Sequence, residues 1–309
     1  MRTPASHTSS TPGASPSADA TGTPVSVSRP VFHLLRRRLM QAGSALTVAS
    51  ALLALGALDH TAQAADPNHP KLVLGATAGY NYDVLKKAIR PQLEKQGYTV
   101  KLVEFNDYVQ PNLALAEGSL DANLFQHITY LKRFAEDRKL DVVELVQSTT
   151  APMGIYSERV DTLERLEAGD TVTLPNDPAN LARALQLLAG QKLITLRAST
   201  DPLRVTQRDV EKNPKRLRFM PVEAAQLPRT LGDATLAIVP GNYATSAGLD
   251  FTKALLLEAP PVAYQQVVAV RRADLDAPWA RDLKESFRSE AFRQALEKDF
   301  PGYVRPAGL

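Results

Sequence analysis

The chain offers few residues able to do chemistry. Of its five histidines, two lie beyond position 64; His69 sits in a DPNHP lead-in, so His127 is the one histidine expected inside a folded body. There is no GxxxxGK[ST] phosphate loop, no GxGxxG after a strand, no HExxH pair and no GxSxG elbow. A Ser-His-Asp triad or a metal site would have to be built around His127, and nothing supplies the other members at a workable spacing. The 309 residues contain no cysteine, which excludes thiolate nucleophiles, cysteine zinc sites, iron-sulfur clusters and disulfides. No cofactor and no enzymatic activity are expected.

Binding chemistry remains. NDYVQPNLALAEGSLDANLFQHITYL (106–131) gathers Asp107, Tyr108, Phe125, His127 and Tyr130, and TVTLPNDPANLARALQLL (171–188) adds Asn180 and Arg183. Arg183 follows Asn180 by three residues, so both share one face in the first turns of a helix that Asn176 or Asp177 caps and Pro178 starts. An anion there meets free backbone N–H groups and a guanidinium together. Each residue also has a purely structural reading: Tyr108 and Phe125 as core aromatics, His127 as a helix cap, Arg183 in a surface ion pair.

Such side chains need strand ends and helix starts to hold them. From Ala65 onward, short β-branched or Leu-rich runs alternate with longer amphipathic ones. Strands are predicted at 71–76, 99–105, 121–125, 142–147, 153–157, 171–175, 217–223, 234–240 and 264–272, with helices at 82–95, 128–138, 179–189, 278–288 and 289–298. The alternation predicts an α/β fold with mostly parallel sheets. About nine strands over this length fit two lobes of ordinary domain size better than one wide sheet. No internal repeat is visible.

The N-terminus reads differently. Residues 1–28 are rich in Ser, Thr, Pro, Ala and Gly, a composition that buries too little surface to order itself. Residues 29–64 then carry the parts of a signal peptide: Arg36, Arg37 and Arg38, the apolar stretch 42–58, and Ala62-Gln63-Ala64, with cleavage expected after Ala64. A membrane anchor is the alternative reading, and RRRLM also suits twin-arginine export. Removing 1–64 takes away five basic residues (Arg2, Arg29, Arg36, Arg37, Arg38) and two acidic ones (Asp19, Asp59), leaving 31 of each sign. A body with no net charge gives no reason to expect a nucleic-acid partner.

Six blocks, NDYVQPNLAL, DANLFQHITYL, PMGIYS, LPNDPANLARAL, VEAAQLPRTL and GNYA, in this order and spacing, resemble the methionine-binding lipoprotein family, the substrate-binding components of methionine ABC importers. The resemblance runs from about Lys71 to Val304. It implies a two-lobe periplasmic binding protein fold of type II, each lobe a mixed, mostly parallel sheet flanked by helices with one ligand in the interlobe cleft. Lobe 1 is expected to be 65–152 plus 263–309 and lobe 2 to be 153–262. On matching positions, Tyr108, Phe125, His127 and Tyr130 would line the pocket for a thioether side chain. Arg183 would pair with the ligand carboxylate, and Asn180 and Asn242 would add polar contacts. Tyr156 and Gln226 also fall in matching blocks.

Three departures stand out. Pro240 replaces an Asn that the family uses against the ligand's α-amino and carboxylate groups, and proline offers neither side-chain donor nor N–H. The ammonium partner is then Asp107, Asn242 or a backbone carbonyl. Tyr80, Asn81 and Tyr82 stand where the family commonly has a Pro-His-like pair. A lipobox cysteine is missing, so a periplasmic protein without a lipid anchor is expected. The resemblance implies a monomer that captures L-methionine or an analogue and delivers it to an ABC permease and ATPase complex. Because of Pro240, another small apolar amino acid, a dipeptide or an organic acid stays open as ligand; an exported enzyme on this scaffold is the more distant alternative.

Overall fold

The structure, a computed structural model, describes residues 64–198 and 201–306. The leader (1–28) and the signal segment short of Ala64 lie outside the described residues. The chain begins with β1 (Lys71–Thr77), α1 (Tyr80–Val84), a π-helical turn (Leu85–Ile89) and α2 (Arg90–Lys95), the last three forming one helical run. The run starts two residues earlier than its apolar spacing suggests. Pro91 explains the π-helical turn: it has no N–H to donate to the carbonyl four residues back, and the ladder widens there. Then come β2 (Thr99–Phe105), α3 (Gln110–Ala116), β3 (Ala122–His127), α4 (Ile128–Arg138) and β4 (Val142–Gln147).

The chain crosses over and forms β5 (Gly154–Tyr156), β6 (Thr171–Pro175), α5 (Pro178–Gly190), the short pair β7 (Thr195–Leu196) and β8 (Val210–Lys212), β9 (Arg218–Val222), β10 (Leu236–Val239), α6 (Gly241–Ser246) and β11 (Leu256–Leu257). It returns through β12 (Gln266–Arg271), α7 (Pro278–Ser286) and α8 (Glu290–Asp299).

Two five-stranded sheets result, ordered β2-β1-β3-β12-β4 and β9-β6-β10-β5-β11. They follow one scheme. The first strand pairs in parallel with the second and third, and a strand arriving from the other lobe is inserted antiparallel to both of its neighbours. In the first sheet that strand is β12, and in the second it is β5. The molecule is therefore α/β with two lobes, and the antiparallel pairings within the two five-stranded sheets all belong to the inserted strands.

β3 is buried at all six positions, as expected of a central strand covered on both faces. In lobe 1 an apolar cluster of Leu72, Leu74, Leu93, Phe287 and Phe292 lies on one side of the sheet, and one of Leu115, Leu120, Leu131 and Val267 on the other. Lobe 2 packs Val172, Leu174, Leu185, Leu188 and Ile238. A further cluster is shared between lobes: Tyr108, Phe125 and Tyr130 from the first meet Tyr156, Leu227, Val239 and Tyr243 from the second. This shared cluster surrounds the site.

Candidate functional site

Two helix starts face each other across the cleft. The start of α4 is capped by His127, whose Nδ1 accepts from the N–H of Tyr130 at 3.1 Å. The start of α5 is capped by Asp177, whose Oδ1 accepts from the N–H of Asn180 at 2.9 Å, with Pro178 in the first turn. Capping fixes the histidine tautomer. Since Nδ1 accepts, Nε2 carries the proton and donates to Asn180 Oδ1 at 3.2 Å, from one lobe to the other. The Asn180 amide in turn donates to both Asp177 oxygens at 3.2 and 3.1 Å. Burial, then the nearby Arg183 guanidinium, lowers the His127 pKa to about 3, so the ring is neutral at any ordinary pH. Burial also raises Asp177 above the usual carboxylate value, against the pull of its hydrogen bonds from Asn180.

Tyr108 lies between β2 and α3, and its hydroxyl donates to Asn242 Oδ1 on α6 at 2.6 Å, again across the lobes. Asn242 Nδ2 donates to Thr77 Oγ1 at 3.3 Å, and Asn81 Nδ2 reaches the same oxygen at 3.0 Å. The rings of Tyr108, Phe125 and Tyr130 meet pairwise at 5.8 to 5.9 Å, forming an aromatic wall, and Tyr130 is held by donating to the Tyr108 carbonyl at 2.8 Å. Burial raises the Tyr108 and Tyr130 phenols above the ordinary value, so both stay neutral donors.

All seven candidates, Tyr108, Phe125, His127, Tyr130, Asn180, Arg183 and Asn242, line one cavity together with Ala151, Pro240 and Gln266. Pro240 lines the cavity and starts α6. The next residue must be glycine, because a Cβ at Gly241 would lie 2.3 Å from the Pro152 carbonyl oxygen and 2.7 Å from Ala151 Cβ. Other candidates lie elsewhere. Asp107 accepts from the N–H groups of Val109 and Gln110 at 2.6 and 2.7 Å and serves the turn. Tyr80 stacks on Tyr303 at 3.7 Å, away from the cavity, and Gln226 is exposed. Tyr156 is buried in the shared apolar cluster.

Two residues of the site were not singled out from the sequence. Glu258 grips Arg183: its oxygens accept from Nε at 2.9 and 3.0 Å, and Oε2 also accepts from Nη2. Both side chains are buried, at 5 and 7% exposure, so Arg183 is neither solvated nor in a surface pair. The Tyr264 ring lies 5.0 Å from the guanidinium carbon. Gln266, at the head of β12, lines the cavity with a buried Oε1 that accepts no hydrogen bond among the described residues. Their signals in the sequence were faint: one Glu after the apolar run LLL, and a polar pair opening the apolar strand QQVVAV.

A two-lobe α/β fold with a closed, aromatic and polar pocket on the interlobe face belongs to the substrate-binding proteins. Residues 72–308 match the NlpA lipoprotein family, and the chain belongs to it. A probable D-methionine-binding lipoprotein MetQ of Vibrio cholerae is 35% identical over 260 residues, spanning 84% of this chain and 96% of its own length. The D-methionine-binding lipoprotein MetQ of Escherichia coli K12 is 37% identical over 240 residues, spanning 77% of this chain and 88% of its own. Among solved structures, a nutrient binding protein of Burkholderia cenocepacia bound to methionine is similar, with 39% identity and a TM-score of 0.73, over 76% of this chain and 99% of that one.

These relatives overturn one expectation. The missing cysteine pointed to a periplasmic protein without a lipid anchor, yet the family and both sequence relatives are lipoproteins by name. They indicate a lipid-anchored, extracytoplasmic class, and composition alone does not support a freely diffusing protein.

Proposed function

We propose that this protein is the substrate-binding component of an ABC importer, capturing methionine or a close relative by closure of its lobes and passing it to the membrane permease. It binds and does not turn its ligand over, acts as a monomer and has no nucleic-acid partner. Lobe 1 is taken as 65–152 plus 263–309 and lobe 2 as 153–262. The observation that carries the reading is the content of one cavity: an arginine with a free edge and an unpartnered amide oxygen, beside three aromatic rings.

A buried zwitterion needs partners for both charges. Nη1 of Arg183, which makes no hydrogen bond among the described residues, meets the carboxylate. Gln266 Oε1 accepts from the ammonium, a role for which Asp107, which does not line the cavity, and Asn242, whose Oδ1 already accepts from Tyr108, are less suited. The rings of Tyr108, Phe125 and Tyr130 take the thioether, where sulfur–aromatic contacts are favourable. Ligand then stabilises the closed form by its affinity difference between closed and open states.

Pro240 favours a second reading, in which the same pocket takes another small apolar amino acid, a dipeptide or an organic acid. A thermal-shift screen of the purified protein against L-methionine, D-methionine, other amino acids and dipeptides separates the two, since a ligand of the folded state raises the melting temperature. The largest shift is expected with a methionine isomer. Arg183→Ala should abolish it; unchanged binding in that variant would remove Arg183 from the site.

A further inference from the structure

Glu258 is a buried carboxylate that the pocket's outline does not include. It follows β11, and it is fastened twice to the segment joining the lobes: its N–H donates to the Met153 carbonyl at 2.9 Å, and its Oε2 accepts from the Met153 N–H at 3.2 Å. Among the described residues, the remaining hydrogen bonds of its carboxylate go to Arg183, through Nε and Nη2. With that edge filled and Tyr264 across its face, the guanidinium has only its Nη1 side to turn to the cavity. At this burial, water screens little. Arg183 and Glu258 together present a fixed dipole with no net charge.

We infer that Glu258 is a positioning residue that makes the pocket select zwitterions: it fixes the edge of Arg183 that faces the ligand and cancels its charge. A ligand carboxylate is thereby accepted when an ammonium travels with it and resisted when it arrives alone. This rests on the reading of Arg183 as the carboxylate's partner. A lone guanidinium would attract any carboxylate, and a bare anion most of all. With Glu258 on the opposite edge, a second carboxylate faces a like charge across the width of one guanidinium. A ligand ammonium offsets that repulsion, and a deaminated ligand has nothing to offset it.

The test is calorimetric titration of the purified protein with two probes of the same side chain, L-methionine and 4-(methylthio)butanoate, which keeps the carboxylate and lacks the ammonium. The wild type is expected to prefer the zwitterion. Glu258→Gln should narrow the ratio of the two dissociation constants by at least about tenfold, chiefly by tightening the anion. Glu258→Asp keeps the charge and should keep the wild-type ratio even if both affinities fall. Parallel weakening of both probes in E258Q would reduce Glu258 to structural support and overturn the inference. Equal affinities in the wild type, or a collapsed ratio in E258D, would overturn it as well, and these two comparisons stand even where E258Q does not fold. Should the wild type ignore L-methionine and bind another amino acid, the proposed ligand fails; the charge selection is then decided by the same ratio, using that amino acid and its deaminated acid.

Discussion

Tyr108→Phe isolates what lobe closure gains from one hydrogen bond. The substitution keeps the ring in the aromatic wall and removes only the hydroxyl that donates to Asn242 Oδ1 at 2.6 Å. Asn242 is 2% exposed and Tyr108 8%, so in the closed form no water replaces the lost donor. In an open form the two residues separate and Asn242 is hydrated, so the penalty falls on the closed state alone. A buried acceptor left without a partner costs about 1–3 kcal/mol. Because ligand binding requires closure, that cost passes into the dissociation constant as a weakening of roughly 5- to 150-fold. Titration calorimetry on both proteins, with circular dichroism to establish equal folding, reads it directly. A dissociation constant within twofold of wild type would show that this bond contributes nothing to closure and that the lobes are held by other contacts.

Two further outcomes follow from the same geometry. His127 is held neutral, with a folded pKa near 3 against about 6.5 unfolded, so its contribution to stability is fully present above pH 6.5 and is lost as the pH falls toward 3. Urea denaturation across that range should show wild type losing up to about 1.4 kcal/mol per pH unit more than His127→Gln; parallel curves would contradict the buried neutral ring. Gly241→Ala would drive a Cβ against the Pro152 carbonyl oxygen, costing about 1–3 kcal/mol and lowering the melting temperature by several degrees. Since Ala151 beside it lines the cavity, ligand affinity should fall in the same variant, and an unchanged melt would mean that this contact relaxes freely.

Much of the site was legible because it uses local signals. LPNDPANLARAL announces a strand end, a cap, a proline in the first turn and an arginine one turn on, and α5 forms there. His127 carried both of its readings into the structure: it caps α4 and lines the cavity. Long-range pairings were not legible. Glu258 and Arg183 are far apart in sequence and meet only because β11 forms an edge of the second sheet, and two- or three-residue strands such as β7, β8 and β11 are too short for alternation to register. The common scheme of the two sheets left no visible repeat, because it is written in backbone hydrogen bonds that many side-chain sequences satisfy.

That scheme also sets an order of assembly. Every strand of the second sheet lies between Gly154 and Leu257, so it is complete as soon as that stretch of chain is available. The first sheet is not. β3 and β4 are neighbours in sequence but never pair with each other, and the slot between them is filled only by β12, which arrives more than a hundred residues later. Until Arg271 has been made, β4 has no partner and β3 offers a bare edge, the kind of surface that recruits other chains. His127 ends β3 and Gln266 begins β12, paired with each other in the finished sheet. The closing of the first sheet therefore also brings together two residues that line the cavity, and a chain truncated before β12 would lack a lobe and a binding site at once.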